Sequence, residues 1–171
     1  MISKKVADAL RNQLKNELES SYLYLSMSAW AAGKGLKGFS NWFYVQAKEE
    51  MYHFFKFYHY ILDQGEKVEL PAVEKPKSKF ASPLEAMKDV LKHEQFITKS
   101  INELVDVALK EKDHATNAFL QWFVSEQVEE EASVNEILDQ LELIGENGNG
   151  IFMIDKELGQ RTFVTPTDIT L

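Results

Sequence analysis

Residues 39–64 read FSNWFYVQAKEEMYHFFKFYHYILDQ and contain neither glycine nor proline. Both of these residue types interrupt helices, so a run of this length without them favours one long helix. Near its centre lie Glu50 and His53, at positions i and i+3, which share one face of a helix. The stretch therefore predicts a long helix with a polar group at its middle.

Glycine and proline divide the rest of the chain into segments of similar length. Proline is absent from residues 1–70 and 84–165, and glycine is absent from residues 66–144. These breaks predict an all-α fold with four long helices between about residues 4 and 144. A short fifth helix is expected over about residues 150–159, followed by an irregular tail over residues 160–171. We expect a single domain over residues 1–171.

The connection between the second and third predicted helices is long. It runs from about Glu66 to Ser82, and 17 residues can span roughly 50 Å, which exceeds the ~40 Å length of such a helix. The other links are short and predict antiparallel hairpins. Together these lengths predict a four-helix bundle with one long crossover between helices 2 and 3.

Composition excludes several classes of function. The chain has no cysteine, which excludes disulfides, thiolate metal sites and cysteine nucleophiles within it. Its net charge of −8 makes it a poor ligand for nucleic acid or anionic lipid, since both attract cationic surfaces. No stretch approaches the ~18 apolar residues of a membrane span. We expect a soluble cytoplasmic protein that binds neither nucleic acid nor membranes.

A spacing of three to four residues along each predicted helix gives an apolar seam with a polar interruption near its middle. The interrupting residues are Glu17, Glu50, His53, Glu94, Gln127 and Glu130. Carboxylates that face one another in a core are costly unless a cation neutralises them. Oxygen ligands with one imidazole suit iron or manganese, with zinc as a competitor. One divalent ion cannot balance four carboxylates, so two ions fit better than one.

At these residues the chain resembles a bacterial non-haem ferritin over nearly its full length. The matching positions are Glu17 with Tyr24, Glu49-Glu50-x-x-His53, Glu94, Glu126-Gln127-x-Glu129-Glu130, and the segment IDKELG at residues 154–159. The resemblance implies a ferritin-like bundle that assembles as a homo-oligomer, a shell of 24 subunits. It also implies iron storage with ferroxidase activity, in which Fe(II) is oxidised by dioxygen or hydrogen peroxide and kept as ferric mineral.

The resemblance further implies a di-iron centre within each subunit. The ligands of the first iron would be Glu17, Glu50 and His53. Those of the second would be Glu50, Glu94 and Glu130, with Gln127 beside them.

A third iron site and a redox-active tyrosine are also implied by the resemblance. The third site would use Glu49, Glu126, Glu129 and Glu130. Tyr24 lies two helical turns beyond Glu17 on the same face, and in the family it is a candidate one-electron donor to dioxygen.

Helix 4 departs from the common di-iron pattern, because Gln127-x-x-Glu130 stands where the second Glu-x-x-His would be. We interpret this as a weaker half of the site, from which the oxidised pair leaves for storage. Met51 follows the motif glutamate, at the position where bacterioferritins hold haem, but the helix 4 departure argues against that group and no haem is expected. Asn117 and Leu120 replace the acidic residues that line an entry channel in animal ferritins. Iron entry by that route is therefore in doubt, and a direct pore through the bundle is the alternative.

Three other functions compete with storage. A di-iron oxidase or peroxidase would not store mineral, and its rubrerythrin-like form needs a cysteine-bound iron that this chain cannot supply. A DNA-protecting mini-ferritin would place its iron between subunits. A purely structural bundle would bind no iron and would leave the central glutamates unexplained.

Overall fold

The computed structural model describes residues 2–164 and contains five helices within that range. They are α1 (Lys4–Gly33), α2 (Lys37–Asp63), α3 (Pro83–Lys110), α4 (His114–Ile144) and α5 (Gly148–Leu158). The predicted all-α bundle with a short fifth helix is confirmed. The predicted tail lies outside the described residues from residue 165 onward. Among the described helices, none combines the length and apolar character that a membrane span requires.

Side-chain caps set several helix boundaries. Ser82 precedes Pro83 and its hydroxyl accepts from the Glu85 amide at 3.1 Å, as expected for a serine N-cap followed by proline. The α5 helix begins two residues earlier than predicted. There Asn147 caps the helix, because its side chain accepts from the amides of Asn149 and Gly150.

Helix directions follow from which residues share a cluster. Met27 near the end of α1 lies with Phe39 at the start of α2 and Met87 at the start of α3. Therefore α2 and α3 run parallel to each other and antiparallel to α1. The segment between α2 and α3, which has no helix or strand from residue 66 to residue 80, carries the chain back along the bundle, as the long crossover requires.

The apolar core is divided into two clusters with a polar layer between them. One cluster contains Tyr24, Trp42, Val90 and Val134. The other lies towards the opposite end of the bundle and is built on residues such as Leu10, Phe57, Ile101 and Phe123. Buried polar side chains fill the interval, and all four long helices supply them. They include Gln13, Glu17, Gln46, Glu50, His53, Glu94, Gln127 and Glu130.

The α5 helix docks against the start of α2 through a backbone contact. A Cβ atom added to Gly38 would lie 1.5 Å from the Asp155 carbonyl oxygen, so this position has room only for glycine. The Asp155 carboxylate accepts from the amides of Gly38 at 2.8 Å and Phe39 at 3.0 Å. It thus supplies a negative charge and an acceptor to the free amides of the α2 N-terminus.

Candidate metal centre

Glu17, Glu50 and His53 meet inside the α1–α2 hairpin. One potential ligand atom from each lies within 4.8 Å of the others. The Nδ1 atom of His53 is 3.4 Å from Glu50 Oε2 and 3.8 Å from Glu17 Oε2. All three residues are almost fully buried, and neither of those Oε2 atoms has a hydrogen-bond partner. Two orphaned carboxylate oxygens facing an imidazole form a donor set that suits a divalent cation.

A second group uses the other nitrogen of the same imidazole. His53, Glu126 and Glu130 also offer ligand atoms within 4.8 Å of one another. His53 Nε2 lies 4.0 Å from Glu126 Oε1. His53 therefore stands between an intra-hairpin group and a group that reaches α4. The Trp122 and Phe123 rings pack against this imidazole in T-shaped arrangements, with ring centroids 5.4 and 5.8 Å away.

Glu94 is fully buried in the polar layer but belongs to neither group. The Tyr24 hydroxyl donates a hydrogen bond to Glu94 Oε1. Gln127 Nε2 donates to Glu94 Oε2 at 3.2 Å. Glu94 is thus held by two neutral donors, and Gln127 acts here as a donor to this carboxylate.

The residues expected at a third site are brought together only in part. Glu126 and Glu130 share the second group, but Glu49 and Glu129 are in neither group. Glu129 is exposed on α4. Glu49 is half-buried and is paired with Arg161, whose Nη2 lies 2.6 Å from Glu49 Oε2.

Burial and mutual repulsion dominate the electrostatics of the polar layer. Burial, followed by the charge of Glu50, raises the pKa of Glu17 well above its ordinary value. Burial, followed by the charges of Glu94 and Glu130, does the same to the pKa of Glu50. The pKa of Glu94 is also raised by burial. Burial and the charge of Glu94 raise the pKa of Glu130 to about 7. The layer thus favours either protons or a cation.

Several supporting residues were not found from the sequence. Gln13 Nε2 donates to Glu17 Oε1 at 2.7 Å from one turn away, a spacing that could have indicated the contact. Gln46 Nε2 donates to Glu130 Oε2 at 2.8 Å. Thr98 accepts from Gln127 at 3.3 Å. The last two contacts cross between helices, so spacing within one helix could not reveal them.

The positions tied to iron entry and haem have ordinary surroundings. Leu120 is buried in the apolar cluster of Phe57 and Phe123. Asn117 is half-buried and accepts from the Gln121 side chain at 3.1 Å. Met51 is half-buried at the side of α2 and lines a groove with residues of α1. Leu120 therefore cannot line a surface channel, whereas the haem prediction for Met51 stays untested.

Comparison with known proteins places these features in a family. The model of the ferritin-like domain matches residues 7–144. A bacterial non-heme ferritin from Staphylococcus aureus is 42% identical over 163 residues, covering 95% of this chain and 98% of the relative. The corresponding protein of Staphylococcus haemolyticus is 40% identical over the same length, covering 95% of this chain and 98% of its own.

Solved structures give the same result. An open pore ferritin from the hyperthermophilic archaeon Archaeoglobus fulgidus superimposes with a TM-score of 0.94 at 49% identity, covering 95% of this chain and 100% of its own. A humanized archaeal ferritin superimposes with a TM-score of 0.95 at 47% identity, covering 96% of this chain and 100% of its own.

Proposed function

Since the chain belongs to the ferritin family, we propose that it stores iron and oxidises Fe(II) in the polar layer of its own bundle. Two Fe(II) ions each lose one electron, and together they reduce dioxygen to hydrogen peroxide or hydrogen peroxide to water. The ferric product then passes to a mineral held inside a homo-oligomeric shell of 24 subunits. A cytoplasmic location stays a prediction.

The observation that carries this proposal is the pair of orphaned oxygens, Glu17 Oε2 and Glu50 Oε2, beside His53. Buried carboxylate oxygens without partners are expensive, and a structural bundle has no reason to keep them. We propose that the first Fe(II) binds there. Charged oxygen ligands also favour Fe(III) over Fe(II), which would drive the oxidation forward.

We propose that the second Fe(II) is bound by Glu50 of α2, Glu94 of α3 and Glu130 of α4. Glu130 and His53 already lie together with Glu126, so this ion would draw Glu94 away from its present partners. The Tyr24 hydroxyl donates to Glu94, so we propose that Tyr24 contributes when three Fe(II) ions are bound. Three electrons from iron and one from tyrosine, with four protons in all, would then reduce dioxygen to two water molecules. A third iron would use Glu49, Glu126, Glu129 and Glu130.

Aerobic iron loading tests the proposal. Apoprotein is mixed with Fe(II) and separated by size, with iron and protein measured in the same eluate. We expect hundreds of ferric ions to co-elute with a particle of about 24 chains. The double variant Glu17→Gln/Glu50→Gln should oxidise Fe(II) at the uncatalysed rate. Glu136→Gln, which changes an exposed carboxylate of α4, is the matched control.

The outcomes separate storage from its competitors. Two or three ions per chain without mineral would indicate a di-iron oxidase. No retained iron in the wild-type protein would contradict the proposal altogether.

The Gln127-x-x-Glu130 half of the site gives a second test of storage. Gln127 donates to Glu94 and offers no charge to an ion, so we propose that this half holds ferric iron weakly and releases it. The double variant Gln127→Glu/Glu130→His should retain more iron at the centre and transfer less to mineral. Unchanged retention, measured by rapid gel filtration after two Fe(II) per chain, would contradict this role.

A further inference from the structure

Glu49 is already paired with a positively charged side chain that is not among the candidate metal ligands. Arg161 follows α5, and its Nη2 donates to Glu49 Oε2 at 2.6 Å. The two side chains are 28% and 26% exposed, so the pair is largely shielded from solvent. Nη1 of the same guanidinium has no hydrogen-bond partner. Glu49 therefore accounts for only part of the hydrogen-bonding capacity of Arg161.

The segment that carries Arg161 is fixed to α2 at several points. Asn41 Nδ2 donates to the Arg161 carbonyl at 2.8 Å and to the Leu158 carbonyl at 3.2 Å. The guanidinium carbon lies 4.9 Å from the centre of the Trp42 ring, at cation–π distance. Two residues further on, the Phe163 ring lies 5.8 Å from Lys48 Nζ. The guanidinium is thus held beside Glu49 by an anchored backbone.

Glu49 is electrostatically part of the metal centre. It lies next to Glu50 in the chain, and its charge raises the pKa of Glu130 while Glu126 acts on Glu49 in turn. Arg161 and an ion at the third site would therefore compete for the same carboxylate. The tethered guanidinium also places a positive charge where a divalent cation would approach.

We infer that Arg161 is the resident counter-ion of the third site, and that a metal ion entering there has to displace its guanidinium from Glu49. This inference rests on the proposed function, because the third site is part of it. Arg161 lowers the affinity of that site relative to the first two, which makes the third ion the most easily released. Filling the site frees the segment after α5 from one of its contacts with α2.

Zinc binding to the assembled apoprotein tests the inference without iron chemistry. Zn²⁺ is titrated by calorimetry near neutral pH, and the third-site step is identified by its loss in Glu49→Gln. Arg161→Gln should tighten that step on the order of tenfold and leave the tighter steps unchanged. Arg161→Lys, which keeps the charge but not the planar fork, should fall between the two.

A matched control exists just after the end of α2, whereas α5 docks at the start of that helix. Arg11 pairs with Glu66 at 2.7 Å, and these side chains are 29% and 28% exposed. Arg11→Gln removes an arginine–glutamate pair of the same kind away from the metal centre. It should leave every zinc step unchanged, which separates a local effect from a change in net charge.

Structure determination gives the second readout. In crystals saturated with Zn²⁺, the guanidinium should no longer contact Glu49, and an ion should contact that carboxylate instead. A guanidinium still paired with Glu49 beside a bound third ion would overturn the inference. So would an unchanged or weaker third step in Arg161→Gln while the first two steps stay normal, an outcome that leaves the proposed function intact. If neither the wild-type protein nor Arg161→Gln bound any zinc, the proposed function and this inference would both be overturned.

Discussion

The pKa of Glu130 reflects the burial and the charge repulsion that act throughout the polar layer. Its pKa is raised to about 7, first by burial and then by the charge of Glu94. An unfolded glutamate titrates near its ordinary value of about 4.3. At pH values between these two pKa values, Glu130 is therefore protonated in the folded apoprotein and ionised in the unfolded chain.

The sign of the effect on stability follows directly. A raised pKa stabilises the fold below the unfolded pKa, and this contribution is lost as pH rises through about 7. Glu130→Gln removes the titration but keeps an oxygen that can accept from Gln46. Relative to wild type, the free energy of unfolding of this apo variant should increase by up to about 3 kcal/mol between pH 4.5 and pH 8.

Denaturant titrations of the metal-free proteins across that pH range measure the difference. His93 titrates in the opposite sense, because burial lowers its pKa to about 4, but it is present in both proteins and cancels. Glu136→Gln, on the exposed face of α4, serves as control and should parallel wild type. A difference between wild type and Glu130→Gln that does not vary with pH would contradict the buried proton.

Tyr24 carries a separate prediction. Its ring packs against Trp42 and Phe43 with centroids 6.2 and 6.5 Å away, and only its hydroxyl reaches Glu94. Tyr24→Phe keeps the packing and removes the donor. We expect Fe(II) oxidation to slow several-fold in stopped-flow measurements, with a change in unfolding free energy of about 1 kcal/mol.

The exposed Tyr22 on the same helix gives the matched control, since Tyr22→Phe should oxidise Fe(II) at the wild-type rate. Equal rates in Tyr24→Phe and wild type would leave Tyr24 with a packing role only.

At the scale of the helix, the placement of glycine and proline was sufficient to predict most of the architecture. Breaker residues predicted the helices because long runs without glycine or proline have few alternatives. The α3 register was less secure. On either side of Glu94, a spacing of three to four residues fits Leu91 and Thr98 as well as Val90 and Ile97, but the first two are half-buried and the last two are buried. A 3.6-residue period allows either neighbour, and only the packing of α1 and α4 decides.

Contacts between distant parts of the chain were beyond prediction for the same reason. The pairs Gln46–Glu130 and Arg161–Glu49 join residues more than 80 positions apart. Nothing in one sequence fixes which side chains of two helices meet, since that depends on relative rotation and shift. The candidate ligands could be chosen from the sequence, whereas the residues that orient them could not.

The contact between α5 and α2 makes a prediction for an element. Because a Cβ at Gly38 would collide with the Asp155 backbone, Gly38→Ala should displace α5 while the four long helices stay folded. Hydrogen exchange of the α5 amides should rise, with little change in α1 or α3. Gly33→Ala is the control, since a Cβ there meets nothing within 4 Å. Equal protection of α5 in Gly38→Ala and wild type would contradict this docking role.

At the scale of the whole molecule, we expect the polar layer to make the free energy of unfolding depend on metal. Four acids with raised pKa values destabilise the apoprotein near neutral pH, and a cation that bound only the folded state would offset this cost. Saturating Zn²⁺ should therefore raise the unfolding midpoint far more at pH 8 than at pH 5, where protons already neutralise the layer.

Thermal scans with and without Zn²⁺ at both pH values measure this. The Glu17→Gln/Glu50→Gln variant should lose most of the zinc response at pH 8. An equal zinc effect at both pH values would contradict competition between protons and metal.

The arrangement of the two ligand groups has a topological consequence. Glu17, Glu50 and His53 all belong to the hairpin before the crossover, whereas Glu126 and Glu130 belong to the hairpin after it. An ion bound by the first group would link the two helices of one hairpin, α1 and α2. An ion in the second group fastens the two hairpins to each other. If the backbone were cut in the crossover, the core and hydrogen bonds such as Gln46–Glu130 would still join the two fragments, and an ion in the second group would add a direct link between them. The order in which the groups fill would thus decide whether metal reinforces a half of this molecule or holds its halves together.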